Sequence, residues 1–162
     1  MPIGLEVLTV VLVAIAMALS LAHALERPGK MRLDRDQYLA VQPIYYPGFT
    51  IGGAAEPLGT IALIVLLALT PSGTTRFWLI AGALAALAAM QAIFWTMTQP
   101  ANRYWLKAQP LGGSAKRFFD IGAAREESDD WTAMRDRWER SHVLRAIAAM
   151  AAFVMLVVAV AM

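Results

Sequence analysis

The chain has 162 residues, 59% of them hydrophobic and 16% charged, with a net charge of +2 and no cysteine. Soluble domains run about 45–50% apolar and about 25% charged, so the composition argues against a soluble fold. The missing thiols exclude disulfides and thiolate metal sites. The small basic excess lies between apolar blocks and not among nucleic-acid motifs, and no Gly-rich phosphate loop, G-x-S-x-G or H-E-x-x-H is present.

Block one covers 4–25, interrupted only by Glu6 and His23. No basic segment precedes it and its apolar run is too long for a signal peptide, so it reads as a retained helix. The first loop, 26–48, carries Arg27, Lys30, Arg32 and Arg35. Block two covers 49–70. Its second half, IALIVLLALT, is strongly apolar, while its first half holds Gly52, Gly53, Glu56, Pro57 and Gly59. Pro57 is expected to free a backbone carbonyl inside the membrane. The short turn PSGTT makes blocks two and three antiparallel neighbours. Block three covers 77–98 and is rich in Ala and Gly, which favours close helix approach.

A long loop, 99–141, follows. Its stretch 111–128 mixes Gly, Ala and charges, and Ser128 or Asp129 is expected to cap a helix starting near Asp130. From there WTAMRDRWERSHVLRAIAAM reads as helix without a break, so block four, 142–162, extends about three turns out of the membrane. At about 1.5 Å per residue, each block of roughly 20 residues crosses a hydrocarbon core of about 30 Å. The expected fold is an all-α integral membrane bundle of four transmembrane helices in one domain, 1–162.

Thirteen of the fourteen basic residues lie in the two loops or, for Arg145, just inside block four; Arg76 alone lies at the other end. The positive-inside rule then places both loops in the cytoplasm and both termini outside, in the cell's inner membrane.

Alternating helix directions bring several ionisable groups to one depth. Block one ends in His23-Ala-Leu-Glu26, block two begins with Glu56, and block four begins with Glu139-Arg-Ser-His142 followed by Arg145. His23 and Glu26 share a helix face, as do Glu139 and His142. Paired Glu-x-x-His motifs in bundles hold two metal ions, so His23, Glu26, Glu139 and His142 are candidate metal ligands, although one pair is reversed and the carboxylate set is incomplete. His23 and His142 can alternatively ligate one haem, or act without any metal as acid/base groups beside Glu139. The plainer use is an ion-pair cluster at the membrane edge, with Arg27, Arg140 and Arg145 binding carboxylates or lipid headgroups. Glu56 and Arg145 are harder to place at a surface. A charge inside the bilayer costs about 2.5–3.5 kcal/mol on insertion scales, so the two are expected to pair between helices or to hold an anionic ligand. Met90, Met97 and Met150 are expected to fill gaps. Thr60, Gln91 and Thr96 are expected to bond between helices, and Trp131, Trp138, Tyr104 and Trp105 to lie at the interface.

The segments HALERPGKMRL, QPIYYPGFTIGGAAEP, TQPANRYW and DDWTAMRDRWERSHVLRA together resemble the anthrone oxygenase-like family, over nearly the whole chain. The resemblance implies a small four-helix membrane protein, much of whose family is catalogued as a domain of unknown function. Some members are linked to oxidation of an anthrone to an anthraquinone. It marks His23, Glu26, Asn102, Arg103, Trp138, Glu139 and His142 as motif positions, and so adds Asn102, Arg103 and Trp138 to Glu56 and Arg145 as candidate substrate-binding residues. The expected activity is that of an oxygenase or oxidoreductase on a hydrophobic, aromatic substrate. The competing expectation is a non-enzymatic membrane subunit or a lipid or small-molecule binder. The partners are the lipid bilayer and a hydrophobic small molecule, with no nucleic acid.

Overall fold

The structure is a computed structural model that describes residues 2–106 and 130–162. The expectations for Ser128, Asp129 and the stretch 111–128 lie outside the described residues. Four helices are long and apolar enough to cross a membrane: Ile3–Lys30, Gly48–Ala68, Thr75–Trp105 and Trp131–Ala161. We label the elements α1 (Ile3–Lys30), α2 (Arg35–Val41), a 3-10 turn (Gln42–Tyr45), α3 (Gly48–Gly52), α4 (Ala55–Ala68), α5 (Thr75–Ile93), α6 (Gln99–Leu106) and α7 (Trp131–Ala161). Neighbours in the bundle are α1–α4, α4–α5, α5–α7 and α7–α1, so the four spans close into a ring. The chain is an all-α, four-helix, multi-pass membrane protein.

Its surface is inverted relative to a soluble protein. Ile3, Val7, Val11, Ile61, Ile64, Ile147, Val154 and Val158 all point outward, as lipid demands. The core is built from small and branched residues, with Val13 and Ala16 facing Leu63, Leu66, Ile80, Ala83 and Leu87. On α7 the buried Ala149, Ala152, Leu156 and Ala159 recur at spacings of three and four, which keeps one thin stripe inward and lets the backbones approach.

Three local features position the site. First, α1 runs on to Lys30, through Pro28, where 26–48 was expected to be loop. The same segment then forms α2, started by a capping box in which Asp34 Oδ1 accepts from the Gln37 amide at 2.9 Å and Gln37 returns the bond. Second, the break in the second span falls at Gly53–Ala54 and not at Pro57. Pro57 sits in the first turn of α4, where a missing N–H is harmless. The carbonyl it cannot reach, that of Gly53, accepts from the Glu56 amide at 3.1 Å, so the expected free carbonyl is absent. Gly52 lies so close to α1 that a Cβ there would meet Leu19 Cδ1 at 2.7 Å. Third, α5 does not stop at Thr98. A π-helical segment, Phe94–Thr98, joins it to α6, and the wider turn re-aims the residues that follow.

Several polar expectations change. Thr60 and Thr96 bond carbonyls four residues back on their own helices, at 2.9 and 2.7 Å, which is the usual outlet for a hydroxyl on a membrane helix. A threonine that does bond across to another helix is Thr98, whose hydroxyl donates to Ser141 at 2.9 Å. Trp105 and Trp138 are not interfacial; they are buried with Tyr38, Ala101 and Met134 in a second core at the basic end. The N-cap of α7 is Asp130 itself, whose carboxylate accepts from Thr132 and Ala133. Hydrogen bonds from Thr132 and the two amides hold that carboxyl below its usual range.

Candidate functional site

The functional candidates meet at the basic end of the bundle. The side chains of His23 from α1 and His142 from α7 are in contact, their rings tilted by 40° with centroids 4.1 Å apart. Around them stand Trp138 at 5.0 Å, Tyr45 at 4.4 Å and Phe49 at 4.6 Å from the His23 ring. His142 also meets Trp138 edge-on at 4.2 Å. Both imidazoles are buried. Among the described residues, His23 Nδ1 and both nitrogens of His142 lack a hydrogen-bond partner, as does the Ser20 hydroxyl three residues before His23. Buried polar atoms without partners are costly, and three of them belong to these two touching imidazoles.

Beside the imidazoles lies a charged layer. Lys30 Nζ stands 3.2 Å from Glu139 and 3.4 Å from Glu26, ion-pair distances whose angles fall short of hydrogen bonds. The same ammonium sits 4.5 Å above the Trp138 ring. Tyr38 donates to Glu139 at 2.9 Å, and Tyr45 donates to Glu26 at 2.7 Å. Burial, and then the neighbouring Glu139, pushes the Tyr38 phenol up; burial, and then the bond to Glu26, does the same for Tyr45. Both phenols therefore remain donors. Trp138 is fixed by its indole N–H, which donates to Asn102 Oδ1 at 2.7 Å. Arg103 follows on α6, half-buried. Toward the middle of the bundle, Arg145 donates to Glu56 across the ring, with its guanidinium 5.2 Å from the Phe94 ring on the π-helical segment.

A groove of about 550 Å³ opens beside this layer. Its polar wall is Glu26, Lys30 and Tyr45, and its apolar wall includes Leu33, Val41, Ile44 and Phe49. Tyr45 and Phe49 line the groove and also touch His23, so they form the partition between groove and imidazoles. A volume of this size suits a small multi-ring ligand.

The geometry brings together His23, Glu26, Trp138, Glu139 and His142. Among the described residues no group of three or more His, Asp or Glu side chains is placed to hold a metal ion. The Lys30 ammonium pairs with both Glu26 and Glu139. The His23 and His142 rings are in direct contact. Reading the sequence assigned Lys30 to a loop and left Tyr38, Tyr45 and Phe49 without a role. The one signal for Lys30 is its spacing: 23, 26 and 30 fall on one helix face.

No curated protein and no solved structure matches the chain. A family model described as anthrone oxygenase matches residues 44–155, a range that takes in Tyr45, Glu56, Asn102 and the run from Trp138 to Arg145; the chain belongs to the anthrone oxygenase family.

Proposed function

We propose that the protein is a membrane oxygenase that converts the activated CH2 of a hydrophobic, anthrone-like aromatic ketone into a carbonyl, at the cytoplasmic end of a bundle whose termini lie outside. The observation that carries this reading is the juxtaposition of an apolar groove with two buried, partnerless imidazoles behind it. The family name supplies the substrate class.

The chemistry asks little beyond proton handling. Removing a proton from the CH2 between two aromatic rings gives an anion delocalised onto the ketone oxygen. That electron-rich anion reduces O2 and combines with it as a peroxide, which takes up the proton and loses water to leave the second carbonyl. One oxygen atom ends in the product and the other in water. In this reading the imidazoles of His23 and His142 hold the proton meanwhile, with Glu139 setting the charge beside them, and the Lys30 ammonium steadies the developing oxyanion. Phe49 and Tyr45 offer ring faces for stacking, while Trp138, held by Asn102, backs the imidazoles. Glu56 and Arg145 keep α4 and α7 in register beneath the chamber.

The test uses the full chain in lipid nanodiscs with 1,8-dihydroxyanthrone. Oxygen uptake and anthraquinone absorbance should rise together above autoxidation, one O2 per quinone, and His23→Ala or His142→Ala should bring the rate down by about a hundredfold. A rate equal to that of empty nanodiscs would mean that the protein is a binder or a subunit.

A further inference from the structure

Glu26 is the carboxylate that the groove and the His23 imidazole share. It lines the groove, and its side chain is 42% exposed there, whereas Glu139 is fully buried and His23 stands behind Tyr45 and Phe49. One oxygen, Oε2, faces three groups at once: the Tyr45 hydroxyl at 2.7 Å, Lys30 Nζ at 3.4 Å and His23 Nδ1 at 3.7 Å. That Nδ1 is itself a buried nitrogen without a hydrogen-bond partner. The 3.7 Å gap exceeds a hydrogen bond by a few tenths of an ångström, a shortfall common in sites that tighten around substrate.

We infer that Glu26 is the catalytic residue that touches the substrate, taking the CH2 proton in the groove and passing it to His23 Nδ1. This rests on the oxygenase reading above. The C–H bond breaks, its electron pair stays on the substrate as the delocalised anion, and the proton forms an O–H bond at Glu26. That proton then moves to His23 Nδ1 and regenerates the carboxylate. No oxidant takes part in either transfer. The neighbours suit the task. Tyr45 orients the carboxylate from one side, and Lys30 pairs with it while presenting a cation to the substrate's oxygen. Tyr45 and Lys30 are positioning residues in this scheme.

Proton removal can be read without the oxygenation step. With 1,8-dihydroxyanthrone in D2O under argon, the wild-type protein in nanodiscs should speed exchange of the CH2 hydrogens above empty nanodiscs. Glu26→Gln should lose about a hundredfold or more of that excess with its melting midpoint kept, since general bases contribute about 10²–10⁴-fold. Acetate, small enough for the open groove, should restore exchange in Glu26→Gln but not in His23→Gln, a rescue that a purely structural role for Glu26 would not show. Glu26→Asp keeps the charge for Lys30 and serves if the glutamine variant fails to fold; it should lose about tenfold and also respond to acetate. Wild-type exchange with Glu26→Gln or Glu26→Asp within threefold of it, or without acetate rescue, overturns the role of Glu26 and leaves the oxygenase reading standing. No wild-type exchange above empty nanodiscs overturns both.

Discussion

Replacing Arg145 by Met tests the interior of the bundle directly. The Arg145 and Glu56 side chains are only 7% and 8% exposed, so neither snorkels to the headgroups. Their pairing crosses from α7 to α4, helices that are not neighbours in the ring. Removing the guanidinium leaves the Glu56 carboxylate inside the bundle without its cation. Breaking a buried pair from one side costs about 3–5 kcal/mol. For a chain of this length about 1 kcal/mol moves the midpoint by about 2–4 °C, so Arg145→Met should melt roughly 6–20 °C lower in detergent at a fixed scan rate. Adding Glu56→Gln removes the orphaned charge and should recover part of the loss. The non-additivity should be about 1–3 kcal/mol, within the range seen for residues in contact. Additive losses, or an Arg145→Met protein as stable as the parent, would refute the pairing as an energetic unit and with it the buried tether beneath the chamber.

Other outcomes follow from the same geometry. Reporter fusions after Thr70 and after Met162 should both signal the outer compartment; a cytoplasmic signal at either position overturns the orientation inferred from the loop charges. Stability should fall as pH rises past about 10, because the unfolded chain gives up phenolic protons that the folded one retains at Tyr38 and Tyr45. Raised phenol values contribute stability that is complete below the unfolded value and lost above it, so melting midpoints should drop from about pH 9 to about pH 11, less steeply in Tyr38→Phe; an equally steep drop in that variant counts against the Tyr38–Glu139 contact.

The four spans were legible because a bilayer fixes the length of an apolar run, which the second block meets across its break at Gly53–Ala54. Helix ends were not. Pro28 and the charges around it suggest a loop, yet a proline one turn from a helix end costs α1 only the bond to the Ala24 carbonyl, and α1 continues to Lys30. That one extra turn places Lys30 between two carboxylates, so the misplaced boundary also hid a member of the cluster. His23, Glu56, His142 and Arg145 stood out because ionisable groups inside apolar runs are expensive. Tyr38 and Tyr45 carry no such signal. A seven-residue helix is too short for its periodicity to show which side chain is buried, and the burial of Tyr38 comes from docking against Trp105 and Trp138. The π-helical segment has no sequence signature at all; it is visible only in where Phe94 and Thr98 end up.

The two ends of the bundle bury different kinds of side chain. At the end away from the chamber, among the described residues, Glu6 pairs with Arg76 and ties α1 to the start of α5, and between the ends the core is almost wholly apolar. A bundle of this size therefore closes well on small apolar residues. Replacing a buried ion pair with apolar groups of similar volume is often neutral or stabilising by about 1–4 kcal/mol, so packing alone gives no reason to bury Glu56, Arg145, Glu139 and Lys30 at one end. The imidazoles sharpen the point. His142 offers two nitrogens and His23 one to partners that none of the described residues supplies, and an apolar ring of the same shape would avoid that cost. What distinguishes the basic end is access, since the groove opens there, across Tyr45 and Phe49 from those nitrogens. Imidazoles without hydrogen-bond partners among the described residues, behind a wall of two aromatic rings and beside a carboxylate that also lines the groove, are poor architecture for stability; the proposed proton transfer to and from an aromatic ligand would give them a use.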